Sequence, residues 1–154
     1  MRQRGIDKLD GNDVLAGGAG ADHLSGGEST DSASYLSAAA GVLADLIDAS
    51  RNSRASCGDI DASIEGLNGS RYADNLRGDA AANVARGGAG NDTLYRRRDD
   101  DVVRGDAGAD ILYGGGADVF DGNSAKDSLM AARDTIQDVL RGTDRIDLRV
   151  FLAD

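Results

Sequence analysis

A nine-residue period constrains this chain more than any other feature of its sequence. From Gly17 the chain reads GGAGADHLS, which fits the pattern Gly-Gly-x-Gly-x-Asp-x-U-x, where U is a large aliphatic residue. The units that start at Lys8 and Gly26 keep parts of this pattern. A second array starts at Gly69 and continues in the same period, with one deletion, to Phe120. Repeats this short predict a solenoid, in which stacked units together bury a core that a single unit cannot.

Three kinds of position define the repeat. Glycine recurs at positions 1, 2 and 4, where it permits left-handed backbone and close approach of carbonyl groups, and Asp recurs at position 6. Position 8 supplies side chains that we expect to fill a thin interior. In the second array these are Leu76, Ala85, Leu94, Val103, Leu112 and Phe120.

The repeat resembles the calcium-binding nonapeptide of the RTX, or haemolysin-type, family, whose signature is this same pattern. The resemblance implies an all-β fold, a right-handed parallel β-roll in which six residues make a turn, three make a short strand, and two repeats complete one coil. It also implies several bound Ca²⁺ ions.

The chemistry of stacked aspartates supports a metal site. If two repeats make a coil, Asp residues 18 apart lie on the same edge of consecutive coils, about 4.8 Å apart. Two carboxylates at that distance repel by roughly 3.5 kcal/mol at an effective dielectric constant of about 20. Flexible ligation by carboxylate and carbonyl oxygens favours Ca²⁺. We predict metal ligands at Asp13, Gly18, Gly20, Asp22, Asp31, Asp74, Gly88, Gly90, Asp92, Asp101, Gly108, Asp110 and Asp118.

The 18-residue spacing assigns these residues to two edges. In the second array one edge carries Asp74, Asp92 and Asp110, in turns of nearly regular sequence, and we expect it to bind calcium well. The other edge carries Asn83, Asp101 and Asp118, in irregular turns, and we expect it to bind poorly. In the first array Asp13 and Asp31 share an edge, with Asp22 opposite.

The largest departure from the pattern is Arg96-Arg97-Arg98, at the positions of Gly-Gly-x. One interpretation is that a guanidinium replaces a missing ion beside carboxylates such as Asp79 or Asp99. A second is a solvated basic run neutralised by the acidic residues that follow it. A third is sequence decay that breaks the roll locally.

We divide the chain into a first array (8–34), calcium-poor coils or an insert (35–68), a second array (69–120) and a truncated C-terminal cap (121–154). Val42, Ala44 and Leu46 alternate as in a half-buried strand, with a loop expected from Arg51 to Cys57. A linker between two separate rolls is the alternative for 35–68. The segments DTIQDV (134–139) and GTDRIDL (142–148) resemble the element after the roll in serralysin-type metalloproteases and alginate C5-epimerases.

Composition excludes several functions. The net charge of -10 argues against nucleic acid or an anionic membrane as partner, and no stretch is apolar enough to be a transmembrane segment. The acidic residues are 25 Asp and only two Glu, which suits turns and hard-metal sites rather than helices. His23 is the single histidine, so a zinc protease site cannot form within this chain, and we expect no catalysis.

These observations predict a secreted, extracellular calcium-binding module. By resemblance, it leaves the cell unfolded through the type I secretion apparatus, folds on binding Ca²⁺, and stabilises an attached catalytic domain. The alternative is a module that binds an anionic polysaccharide such as alginate. A row formed by Arg77, Tyr95 and Tyr113, each 18 residues apart at position 9, is the candidate contact surface.

Overall fold

The computed structural model describes residues 9–53, 59–115, 119–122, 127–130, 135–137 and 145–147. These residues form 17 short strands and one 3-10 helix, Ala49–Arg51. Neighbouring strands in these sheets run parallel. The predicted all-β class and the parallel β-roll are therefore confirmed.

Most strands belong to two stacked sheets. The first sheet contains, in spatial order, β2 (Val14–Leu15), β5 (Ser32–Ser34), β8 (Gly66–Asn68), β10 (Val84–Ala89), β12 (Val102–Ala107), β14 (Val119–Asp121) and β16 (Thr135–Gln137). The second contains β6 (Leu43–Asp45), β9 (Asn75–Arg77), β11 (Thr93–Tyr95), β13 (Ile111–Tyr113), β15 (Ser128–Met130) and β17 (Arg145–Asp147). Two further pairs join β1 (Leu9–Asp10) to β4 (Gly27–Glu28) and β3 (His23–Ser25) to β7 (Ile60–Ala62).

The register of the sheets follows the repeat. Ala85 faces Val103 in the first sheet, and Leu94 faces Leu112 in the second, so residues 18 apart are neighbours in consecutive coils. After the deletion, Val103 faces Phe120, 17 residues on, and the pairing continues. Two repeats thus complete one coil, as the resemblance implied.

The position-8 side chains form the core. Leu24 comes from β3 and the others come from the two sheets, and all of them belong to one core layer. Nine of them are fully buried, at 0% exposure: Leu24, Ala33, Leu67, Leu76, Ala85, Leu94, Val103, Leu112 and Phe120. Because this layer is one side chain thick, the core is thin, and the fold depends on what joins the coils at their turns.

In the segment 35–53 the order of the strands along the chain differs from their order in the stack of coils. After β5 the chain advances to β6, which pairs with β9, and it then returns to β7, which pairs with β3. On the return, Ser53 forms an antiparallel bridge to Leu43. Val42 and Ala44 are buried and Leu46 packs against the core, as their alternation predicted. Of the predicted loop, residues 54–58 lie outside the described residues.

Candidate metal centre

The turns bend where the repeat places glycine at positions 2 and 4. In the first array Gly18 and Gly20 have φ angles of 93° and 117°, and in the second Gly88 and Gly90 have 101° and 121°. This left-handed backbone strains any residue with a Cβ. Gly108, also predicted as a site residue, has φ 139° at position 4 of its turn.

Glycine at position 1 has a different reason. A Cβ added at Gly87 would collide with Oδ2 of Asp92, the position-6 residue of the same turn, and would lie 2.6 Å from the carbonyl oxygen of Gly105 in the next coil. The same carboxylate collision would occur at Gly17, Gly26, Gly69, Gly105 and Gly122. Position 1 is therefore glycine because the carboxylate and the next coil's carbonyl occupy the space over its Cα. The repeat pattern alone does not indicate this role.

The carboxylates of one edge form a ladder, which we call the regular edge and define by Asp74, Asp92, Asp110 and Asp127. The backbone N–H of each of the first three donates to Oδ1 of the following one, at 2.8 Å each time. All four side chains are buried. Asp127 was missed because it lies 17 residues after Asp110, although Gly122 five residues before it is a signal of another turn.

The other oxygens of the regular edge make this arrangement a candidate cation site. Oδ2 of Asp92 and Oδ2 of Asp110 are buried without a hydrogen-bond partner. Over Gly87, the Asp92 carboxylate converges with the carbonyl oxygen of Gly105. Buried oxygens that face one another are costly unless a cation or donor lies between them. Converging carboxylate and carbonyl oxygens are the donor set that Ca²⁺ prefers, so these residues fit the ion.

The pKa values on this edge show the same electrostatic problem. Burial is the main cause that raises the pKa of Asp92 to about 7, and the carboxylates of Asp110, Asp74 and Asp106 add to it. Burial likewise raises the pKa of Asp110 to about 6, with a contribution from Asp127. The ionised forms are thus disfavoured in the folded chain when no cation offsets them.

The opposite edge, which we call the second edge, carries Asp13, Asp31, Glu65, Asn83 and Asp101. The N–H of Asp13 donates to Oδ1 of Asp31 at 2.7 Å, and the N–H of Asp31 donates to Oε2 of Glu65 at 3.0 Å. Further along, the N–H of Asn83 donates to Oδ1 of Asp101 at 2.7 Å. Glu65 was missed because it lies in the irregular segment and is not an Asp. Asp118 lies outside the described residues.

The remaining predicted site residue, Asp22, joins a pair that the sequence did not indicate. Its N–H donates to Oδ1 of Asp59 at 2.9 Å, across 37 residues. Asp59 is buried, and burial raises its pKa. Between this pair and the regular edge, the N–H of Val42 donates to Oδ1 of Asp74. In the next coils of that edge the corresponding N–H belongs to an Asp, so Val42 occupies a position that carries a carboxylate elsewhere.

The arginine run divides into buried and exposed members. Arg96 is 4% exposed, whereas Arg97 and Arg98 are exposed, so a purely solvated run is wrong for Arg96. The roll is unbroken at this turn, because β12 pairs with both β10 and β14. Predicted local disruption of the roll is therefore also wrong.

The candidate sites combine side-chain and backbone donors. Among the described residues, no group of three or more His, Cys, Asp or Glu side chains could hold one metal ion. A site at these turns must therefore use backbone carbonyls together with one or two carboxylates. In the described part of the chain, no helix is long and apolar enough to cross a membrane.

Comparisons with known proteins identify both arrays. Residues 9–33 match the family model of the RTX calcium-binding nonapeptide repeat (4 copies), and residues 75–154 match that of the peptidase M10 serralysin C terminal. The comparison with curated proteins gave no match. Both matched models describe non-catalytic regions. Because the second match covers more than half of the 154 residues, the chain belongs to the serralysin C-terminal family, with RTX calcium-binding repeats in a β-roll.

Proposed function

We propose that this chain is a calcium-triggered folding module of a secreted protein. It passes through a type I secretion apparatus unfolded, folds in the millimolar calcium outside the cell, and stabilises a domain attached to it. The observation that supports this most directly is the regular edge, where Asp92 and Asp110 each present a buried Oδ2 without a hydrogen-bond partner.

The ladder couples metal binding to folding. Each carboxylate uses Oδ1 to accept the N–H of the preceding coil, so the residues that would hold calcium also fix the distance between coils. Bound Ca²⁺ supplies the positive charge that lets these carboxylates stay ionised at close range. In the unfolded chain the same groups are solvated and far apart, so the binding free energy appears as folding free energy.

Calcium titration followed by circular dichroism tests the folding step. The chain is expected to gain β signal between about 0.1 and 1 mM calcium, the range of extracellular calcium modules. Magnesium at the same concentrations is the matched control, since it demands stricter octahedral geometry. Absence of any calcium-dependent gain over this range would contradict the proposal.

The effect on an attached domain needs a separate experiment. A small reporter domain fused to the chain is expected to unfold at a higher temperature with calcium than without it. The double variant Asp92→Ala/Asp110→Ala, fused to the same reporter, is expected to lose that difference. If the reporter is equally stable in all four conditions, the module folds on calcium but stabilises nothing.

A second candidate function rests on the half-buried row of Arg77, Tyr95 and Tyr113 in the second sheet. The rings of Tyr95 and Tyr113 are stacked, with centroids 4.5 Å apart and planes 5° from parallel. The guanidinium of Arg77 lies 5.2 Å from the Tyr95 centroid. The tyrosine hydroxyls and the guanidinium of this row can hydrogen-bond the hydroxyls and the carboxylate of a uronate sugar, so we propose an anionic polysaccharide such as alginate as the alternative ligand.

Affinity electrophoresis in alginate with calcium tests this surface. The variant Tyr95→Ala/Tyr113→Ala is expected to migrate faster than the unaltered chain because it no longer binds the polysaccharide. Tyr72→Ala is the matched control, since Tyr72 stacks with Arg71 away from this row. Equal retardation of all three proteins would exclude the row as the contact surface.

A further inference from the structure

The turn that contains Arg96 differs from the regular turns at one point in space. Over Gly87 of the regular edge, the Asp92 carboxylate meets the carbonyl oxygen of Gly105 from the next coil. Over Gly69, Oδ2 of Asp74 likewise meets the carbonyl oxygen of Gly87. At both places two oxygens converge. Over Gly87, Oδ2 of Asp92 has no hydrogen-bond partner, so a cation would offset the two oxygens there, whereas Oδ2 of Asp74 also accepts the N–H of Ser70 at 2.6 Å.

Over Gly78 of the second edge, the corresponding atoms are different. A Cβ added there would collide with Oδ1 of Asn83 and with Nη1 of Arg96, which comes from the next coil. A neutral amide thus replaces the carboxylate, and a positively charged nitrogen takes the place of the second oxygen. The guanidinium fits only because Gly78 has no side chain.

The backbone of Arg96 keeps the position that glycine holds in other coils. Its N–H donates to the carbonyl oxygen of Tyr113 at 2.8 Å, as the N–H of Gly78 donates to that of Tyr95 at 3.0 Å. Only the side chain is new. It points back toward the preceding coil and is 4% exposed, which is unusual for an arginine next to two exposed ones.

The charges at this turn balance without a metal ion. Asp101 stands at position 6 of the same turn, the position that faces position 1 in the regular turns, and it is buried. Its carboxylate still accepts the N–H of Asn83 at 2.7 Å. Asn83 is neutral and exchanges hydrogen bonds with Asp79, accepting from its N–H at 2.9 Å and donating Nδ2 to its Oδ1 at 3.0 Å. One guanidinium therefore matches the one buried carboxylate of this turn.

We infer that Arg96 is a built-in cation that replaces Ca²⁺ between the coils at 78–83 and 96–101. In the folded roll this clamp joins the two coils without taking up an ion, whereas the regular edge of the same coils depends on calcium. The inference rests on the proposed function, because it assumes that the regular turns bind calcium.

Counting bound ions tests the replacement directly. The double variant Asn83→Asp/Arg96→Gly restores the regular pattern at this turn and is expected to bind one more calcium ion per chain than the unaltered protein, measured by equilibrium dialysis. Arg98→Gly removes an exposed arginine of the same run and is expected to leave the count unchanged. A folded double variant with an unchanged ion count would overturn the inference.

A second comparison remains decisive if the double variant fails to fold. Arg96→Met keeps the length of the side chain and removes its charge, and it is expected to lower the calcium-saturated unfolding midpoint by about 10 °C, as loss of a buried charge partner does. Arg96→Lys keeps the charge and is expected to fall by less. Equal midpoints for the Met and Lys variants would contradict a role for the charge.

The unaltered chain separates failure of this inference from failure of the proposed function. If the unaltered chain binds no calcium, the proposed function is refuted before any variant is compared.

Discussion

Asp92 and Asp110 are 18 residues apart in the chain, and the backbone N–H of Asp92 donates to Oδ1 of Asp110 at 2.8 Å. The second oxygen of Asp110 is buried without a hydrogen-bond partner. Asp110 therefore sets the spacing of two coils with one oxygen and presents the other for a cation, and Asp92 does the same toward Asp74. A change at one such residue should affect calcium binding and coil stacking together.

Replacing one carboxylate on each edge separates these two effects. Asp92→Ala and Asp101→Ala each leave one N–H of the preceding coil without its acceptor, at a cost of about 1–3 kcal/mol. Asp92→Ala also removes a carboxylate from the regular edge, whereas Asp101→Ala removes the carboxylate that matches the buried Arg96 guanidinium. Asp92→Ala is therefore expected to bind at least one calcium ion fewer per chain, and Asp101→Ala is expected to lose stability but keep the ion count of the unaltered chain. Equilibrium dialysis of the folded proteins measures both counts.

The exposed Asp99→Ala is the control for loss of one negative charge without loss of a ligand or acceptor. Loss of a calcium ion by Asp101→Ala but not by Asp92→Ala would reverse the assignment of the two edges.

Alanine substitution at two glycines tests why the repeat needs them. Gly87→Ala places a Cβ against the Asp92 carboxylate and the Gly105 carbonyl, so we expect a loss of more than about 2 kcal/mol and weaker calcium binding. Gly11→Ala meets nothing within 4 Å, and its cost is limited to backbone strain at φ 108°, about 1–2 kcal/mol. Urea unfolding at saturating calcium measures both. Similar losses would mean that space over Gly87 is not what position 1 protects.

The repeat predicted the parts of the fold that depend on local periodicity. The period of nine, with a large side chain at position 8, predicted the thin core. The family resemblance added that two repeats complete one coil. Together they predicted the two sheets, the register of Leu94 on Leu112, and the position of Asp74, Asp92 and Asp110 on one edge, because every coil repeats the same geometry.

What the sequence did not predict depends on contacts between irregular segments. Glu65 reaches Asp31 across 34 residues, and Asp59 reaches Asp22 across 37, because residues 35–53 advance one coil and return. No period carries that information. Burial of Arg96 could not be read from its run, since it depends on the space left by Gly78 in the preceding coil.

Asn52 holds this returning segment in place, and its replacement tests that role. Its Oδ1 accepts the N–H of Asp45 at 2.7 Å, and its Nδ2 donates to the carbonyl oxygen of Asp59 at 3.3 Å, in a buried position. Asn52→Ala leaves a buried donor and a buried acceptor unsatisfied, so we expect a loss of about 1–3 kcal/mol in urea unfolding. The number of calcium ions should not change.

Ser50→Ala, in the exposed 3-10 helix of the same segment, is the matched control and should cost under about 1 kcal/mol. An unchanged unfolding midpoint for Asn52→Ala would mean that the segment is held by other contacts.

The pH dependence of the calcium-free chain follows from the raised pKa values of Asp92 and Asp110. In the unfolded chain both carboxyls titrate near 3.8, whereas in the roll the pKa values are about 7 and about 6. Between these limits the folded state therefore binds more protons than the unfolded state. The stabilisation that protonation of these two carboxyls contributes is fully present below the unfolded pKa and is lost as pH rises through the folded pKa values.

We expect the chain in a calcium chelator to gain β signal by circular dichroism as pH falls from about 8 to about 5. Asp92→Asn/Asp110→Asn keeps the acceptors but cannot ionise, so it should show a weaker pH dependence over this window. Acid that unfolds the calcium-free chain in this window would contradict the electrostatic account, because protonation would then be removing a favourable charge.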